Sequence, residues 1–167
     1  MCQDHPGKLQ KIKACLNVVK EILRPEYSLL DVGCGRGHVY HELGHKNYTG
    51  IDLSDAEVAA AREAFPDGNF KVGDLYDIDG KWDVVLCSRV LLHVAPLKGA
   101  MEKLLNASGK FLILVAHVGP HDVVEEIIKD DRRFYFRTIS EDTLKSFGDC
   151  EFHNSDRTRY TTIVYKR

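Results

Sequence analysis

The chain has 167 residues, with 23 Lys and Arg against 25 Asp and Glu and a formal net charge of −2 at pH 7, a balance that argues against a general polyanion binder. Apolar residues at 44% and charged residues at 29% describe an ordinary folded domain, expected to span 1–167, and exclude disordered or membrane-spanning classes. The five cysteines (Cys2, Cys15, Cys34, Cys87, Cys150) include no CxxC pair and Met1–Pro6 lacks signal-peptide character, so neither a disulfide framework nor a zinc site is expected and a cytoplasmic location is the default.

From Lys8 to Leu23 apolar side chains recur at Leu9, Ile12, Leu16, Val19 and Leu23, the spacing of one helical face, which Pro25 stops. Ser28–Val32 is an apolar run ending in an acid and glycines, as in a strand buried on both faces. A polar, helix-like stretch follows, then a strand at Tyr48–Leu53. Ser54 with Glu57 makes a capping box for a helix over Asp55–Phe65. Further strands are expected at Asn69–Val72, Trp82–Cys87 and Lys110–Ala116, with a helix at Pro96–Leu105 between the last two. Helices follow at about Asp122–Lys129 and Ser140–Phe147. Cys150–Asn154 and Tyr160–Lys166 are strands joined by a link too short for a crossover, hence an antiparallel hairpin. The whole predicts an α/β, doubly wound, mostly parallel seven-stranded sheet with a C-terminal antiparallel hairpin and helices on both faces. Residues 1–25 would cover the site, 28–116 would bind a cofactor, and 117–167 would face the substrate.

In such sheets ligands lie beyond the carboxyl ends of the strands. There "LLDVGCGRG" places Gly33 and Gly35 two and four residues after Asp31. Bare main chain lets a ligand approach closely, and a carboxylate in that position repels a pyrophosphate but favours an ammonium or sulfonium group. The third glycine falls one place early for a dinucleotide fingerprint, so a dehydrogenase is disfavoured. Asp52 ends the second strand, where a carboxylate can accept from a ribose diol. Asp74, past the third strand, can accept from an exocyclic amine, and Leu53 and Leu75 can cover a flat base.

Here "LLDVGCGRG", "YTGIDLS", "KVGDLYDI", "KWDVVLCSRVLLHV" and "LNASGKFLILV" resemble successive motifs of the class I S-adenosylmethionine-dependent methyltransferases, from Leu29 to Val115 and more loosely to the last hairpin. The resemblance implies S-adenosyl-L-methionine as cofactor and S-adenosyl-L-homocysteine as product. It also implies Asp31 near the methionine amino group and Gly33, Cys34 and Gly35 against methionine and ribose. Asp52 would hold the ribose hydroxyls, Asp74 the adenine amine, and Ser88 would lie beside the methionyl part.

A base is needed only where the acceptor keeps its proton in the transition state. His117, directly after the fifth strand, and His121 are candidates, the alternative being solvated loop histidines. His93 reads as a packed, hydrogen-bonded side chain. His38, His41 and His45 share a helical spacing and read as a solvent-facing stripe, not a metal site. Arg89 stands where relatives that methylate DNA amino groups carry an Asp/Asn-Pro-Pro-aromatic motif, and where catechol-type relatives have an acid nearby. It points either into a salt bridge or toward an anionic substrate group. "RRFYFRT" (Arg132–Thr138) mixes cations and aromatics, yet Phe134 and Phe136 alternate as in a half-buried strand, so a packed segment by the substrate mouth is preferred to an RNA track.

The sequence therefore predicts a methyltransferase acting on a small-molecule substrate, with nucleic acid and membrane disfavoured as partners. A homodimer whose partner subunit completes the pocket stays open. The alternatives are RNA or protein methylation, with a basic rim of Lys11, Lys13, Arg132 and Arg133, and a cofactor-binding regulator without turnover.

Overall fold

In a computed structural model, which describes residues 15–129, 132–154 and 160–167, the apolar run at Leu29–Val32 forms β1, buried at all four positions. Alternate residues of the central strands point into two separate apolar layers, as a sheet covered on both faces requires. Leu29, Val84, Leu86 and Ile113 pack with Leu16, Val19 and Val58 on one side. Leu30, Val85, Leu112 and Leu114 pack with Met101, Leu104 and Leu144 on the other.

Residues 15–22 are helical and form α1; the expected start of that helix, 8–14, lies outside the described residues. Then come α2 (His38–Leu43), β2 (Tyr48–Asp52), α3 (Asp55–Ala64), β3 (Phe70–Val72) and a 3-10 turn at Leu75–Asp77. β4 (Trp82–Ser88), α4 (Leu97–Ala107) and β5 (Ser108–Gly119) complete the parallel part. β6 (Val123–Lys129), β7 (Arg132–Ser140), α5 (Glu141–Lys145), β8 (Cys150–Asn154) and β9 (Tyr160–Lys166) follow. The Ser54 hydroxyl accepts the Glu57 N–H at 3.3 Å, but the Glu57 carboxylate faces Arg36 at 3.2 Å, so only half of the expected capping box forms.

Strands β3-β2-β1-β4-β5 are parallel neighbours in that order. β9 runs antiparallel to β5 from Phe111 to His117, with β8 outside it, the expected C-terminal hairpin. The doubly wound α/β class is as expected, with nine strands among the described residues instead of seven.

The two additional strands are the main correction. Asp122–Lys129, expected as a helix, is strand β6, paired antiparallel with β7 from Val123↔Thr138 to Lys129↔Arg132. Val123 and Ile127, like Val124 and Ile128, sit four residues apart and imitate a helical stripe. All four are β-branched, however, and favour a pleated ladder once a partner strand is available. β5 continues past the end of β4, and β7 pairs with that overhang at His117↔Thr138 to Gly119↔Ser140. The β6–β7 hairpin thus hangs over the carboxyl end of β4. Asp122 holds its root, accepting from the Ser140 N–H and the Thr143 hydroxyl; these bonds keep its carboxyl below the usual range.

Candidate functional site

At the end of β1 the chain turns on three glycines with positive φ: Gly33 (79°), Gly35 (50°) and Gly37 (78°). A side chain at Gly33 is excluded twice, by that backbone and by space, because its Cβ would lie 2.2 Å from Val90 Cγ2. The Gly33 and Cys34 N–H groups both donate to the Ile51 carbonyl, at 2.8 and 3.0 Å, pinning the loop to β2.

Asp52, the last residue of β2, accepts the Gly35 N–H on Oδ2 at 2.8 Å and the Ser54 N–H on Oδ1 at 2.9 Å. Each oxygen keeps a further lone pair, so the carboxylate is locked in place and can still accept two hydroxyls. Asp74 caps the 3-10 turn, accepting the Tyr76 N–H on Oδ1 at 3.1 Å. Between these acids Leu53 stands 72% exposed, while Leu75 is buried.

Gly33, Asp52, Leu53, Asp74, Leu75, Ser88 and Arg89 line one cavity of about 480 Å³ at the carboxyl ends of β1 to β4. That volume lies within the roughly 300–1,000 Å³ of small-molecule sites. Phe136 of β7 and Tyr160 of β9 also line it. Phe136 belongs to the Arg132–Thr138 segment expected beside the substrate mouth, although no role in the site was assigned to it, and Tyr160 had no distinguishing signal.

Five expected site residues do not line this cavity. Asp31 is 1% exposed and accepts the Tyr48 hydroxyl at 2.7 Å. Burial pushes its carboxyl up to about 7, against the lowering effect of the Tyr48 bond and with a further rise from Asp52. Cys34 is buried behind the glycine loop, where burial and Asp31 raise its thiol, and Gly35 lends its N–H to Asp52. The His117 ring lies 4.3 Å from that of Tyr160 and 5.9 Å from that of Phe136, adjoining the cavity's roof. His121 is exposed in the loop before β6.

The remaining polar side chains sort by contact. His93 lines the cavity with its Nδ1 2.8 Å from the Tyr135 carbonyl, but it is exposed, so it is hydrogen-bonded as expected and not packed. Of the histidine stripe, His41 is exposed, but His45 lies beyond α2, buried, with Nε2 2.7 Å from the Tyr27 carbonyl. Gly44 ends α2 before His45 can join the helical face. No metal-holding cluster occurs among the described residues. Arg89 follows β4 directly, with φ 63°, a left-handed conformation that costs a non-glycine residue about 1–2 kcal/mol. It makes no salt bridge among the described residues, and its Nε is buried without an acceptor.

A glycine turn, two carboxylates and an exposed leucine are set along a β3-β2-β1-β4-β5 edge, in the mostly parallel α/β fold of class I methyltransferases. The methyltransferase domain family matches residues 23–167, and the chain belongs to that family. Over 115 residues (64% of this chain, 37% of the relative) it is 29% identical to a ribosomal protein L11 methyltransferase of Thermoanaerobacter pseudethanolicus. Over 82 residues (42% and 26%) it is 38% identical to the mitochondrial ubiquinone biosynthesis O-methyltransferase of Saccharomyces cerevisiae. The chain thus spans well under half the length of either curated relative. The fold is similar to that of magnesium protoporphyrin IX methyltransferase from Synechocystis PCC 6803 with bound S-adenosylmethionine, at TM-score 0.67 and 18% identity over 95% of this chain and 77% of that one.

Proposed function

We propose that the chain is an S-adenosylmethionine-dependent methyltransferase with a small-molecule acceptor. The observation that carries this reading is the convergence of Asp52, Asp74, Gly33 and Ser88, each at the end of a different parallel strand, on one cavity. The residues fit the cofactor: Asp52 takes the ribose hydroxyls, Asp74 Oδ2 the adenine amine, and Leu53 and Leu75 enclose the base. Gly33, with Cys34 and Gly35 behind it, leaves bare main chain for the methionyl part beside Ser88. Asp31 acts from beneath, as a buried acid that favours the amino group. The cofactor supplies a methyl group on sulfonium sulfur, which departs as a neutral thioether.

What the chain adds is alignment and exclusion of water. Phe136 and Tyr160 line the same cavity of about 480 Å³ as Ser88, a volume that supports an acceptor small enough to be enclosed. His117, beside both rings, is the base for an acceptor that must lose a proton; His121, on the exposed loop, is the weaker candidate.

Protein methylation is a second reading, favoured by the likeness to ribosomal protein L11 methyltransferases. Of the basic rim that it and RNA methylation would use, Lys11 and Lys13 lie outside the described residues. Labelled-methyl transfer into fractionated metabolites, protein and RNA separates these readings, and absence of transfer to every fraction leaves a cofactor-binding regulator. For the cofactor itself, Asp52→Ala is expected to weaken S-adenosylhomocysteine binding by about 1–3 kcal/mol in calorimetry; an unchanged dissociation constant overturns the assignment.

A further inference from the structure

Three other arginines of the fold each have an acceptor or a counter-charge, although Arg137 Nε, like that of Arg89, is buried without an acceptor. Arg36 faces Glu57 at 3.2 Å, and Arg62 donates twice to the Phe70 carbonyl, at 3.0 and 2.7 Å. Arg137 donates to the Val94 carbonyl at 3.1 Å and lies near Asp122. Arg89 has no such arrangement. It lines the cavity, its Nε is shielded from water without an acceptor, and no carboxylate is within ion-pair reach among the described residues. Its aromatic neighbour is Tyr160, whose ring centroid is 6.0 Å from the guanidinium carbon. A left-handed backbone at φ 63° holds it there, the kind of strain that folds retain at functional sites.

A half-buried guanidinium without a counter-charge among the described residues is completed by a ligand that brings one, and its planar fork suits a carboxylate or phosphate. The placement says which part of the ligand. Asp74 and Asp52 end β3 and β2, on one flank of β1, whereas Arg89 follows β4 and faces Tyr160 of β9, on the other. The acids mark the adenosine end, so Arg89 stands at the acceptor end. A guanidinium close to a sulfonium raises the energy of both cations, and an anion between them removes that repulsion.

We propose that Arg89 anchors an oxyanion, a carboxylate or phosphate-type group, carried by the methyl acceptor. The proposal rests on the cofactor reading above and narrows the acceptor to anionic molecules. The same chemistry is offered by the cofactor's own carboxylate, so the test has an arm for each source.

The intact chain, wild type and Arg89→Met, is titrated calorimetrically with S-adenosylhomocysteine and with its analogue lacking only the carboxylate. The S-adenosylhomocysteine-saturated proteins are then titrated, by ligand-observed NMR, with benzoate, phenyl phosphate and neutral benzamide. The wild type is expected to bind at least one anion tenfold or more tighter than benzamide. Arg89→Met abolishes that preference while holding S-adenosylhomocysteine within threefold, which also shows that it folds, and Arg89→Lys restores part of it. Equal binding of anions and benzamide by the wild type overturns the proposal, as does an unchanged preference in Arg89→Met. A tenfold loss of S-adenosylhomocysteine affinity in Arg89→Met, without loss for the analogue, assigns the anion to the cofactor and overturns the acceptor assignment. Failure of the wild type to bind S-adenosylhomocysteine appears in the first titration and overturns the cofactor reading itself.

Discussion

Leu53 is a side chain that stability alone does not explain. It follows the locked carboxylate of Asp52, is 72% exposed, and lines the cavity between two acids. Covering an adenine ring would remove that apolar surface from water at about 25 cal/mol per Å². Leu53→Ser is therefore expected to weaken S-adenosylhomocysteine binding by about 1–2 kcal/mol. Its unfolding free energy should stay within about 0.5 kcal/mol of wild type, as for other exposed positions. Calorimetry beside urea denaturation checks both, and a parallel loss in the two would make Leu53 a packing residue. This part of the site was legible because acid, glycine and leucine each follow a strand end in one short segment of chain. Tyr160 was not, because its place depends on the pairing of β9 with β5, made far away in the chain. That no carboxylate among the described residues pairs with Arg89 was equally unreadable, since it depends on what the fold brings beside the guanidinium.

At the scale of the element, the parallel strands were legible because a continuous apolar run between helical periods has few other meanings. The β6–β7 hairpin was not, because two Val and two Ile spaced by four satisfy both periods, and only the overhang of β5 decides between them. Side-chain bonds to carbonyls latch the hairpin to the loop after β4: His93 at 2.8 Å from the Tyr135 carbonyl, and Arg137 at 3.1 Å from that of Val94. Each such bond contributes about 0.5–1.5 kcal/mol net. Replacing both residues (His93→Ala with Arg137→Met) is expected to speed amide exchange in β7 by about tenfold or more. In the proposed reading the latch lies on the acceptor side, so the acceptor KM should rise while S-adenosylhomocysteine affinity changes less than threefold. Unchanged exchange in β7 would show that the hairpin is held by its root at Asp122 and not by the latch.

At the scale of the whole molecule, the cofactor edge is built on a buried charge whose cost the entire fold carries. Asp31 sits at the centre of the sheet between β2 and β4, paired with Gly50 and Leu86, 1% exposed with one hydrogen bond from Tyr48. Its carboxyl is pushed from 3.8 to about 7, chiefly by burial. The folded chain therefore holds a proton that the unfolded chain has released, which is the reverse of a salt-bridged aspartate. As pH rises from about 4 to about 7 the unfolded state gains relative to the folded one, and above about 7 the penalty is complete and constant. A displacement of that size corresponds to about 4 kcal/mol. Asp31→Asn keeps the volume and an acceptor for Tyr48 but removes the charge. It is expected to match wild type near pH 4 and to exceed its unfolding free energy by about 2 kcal/mol or more at pH 8. Urea midpoints measured across that range check the prediction, and parallel wild-type and variant curves would refute it. The same variant should bind S-adenosylhomocysteine more weakly if, as proposed, the charge that burdens the fold is the one that favours the amino group. A central acid retained at this cost to stability is what a sheet selected for its edge, and not for its core alone, would carry.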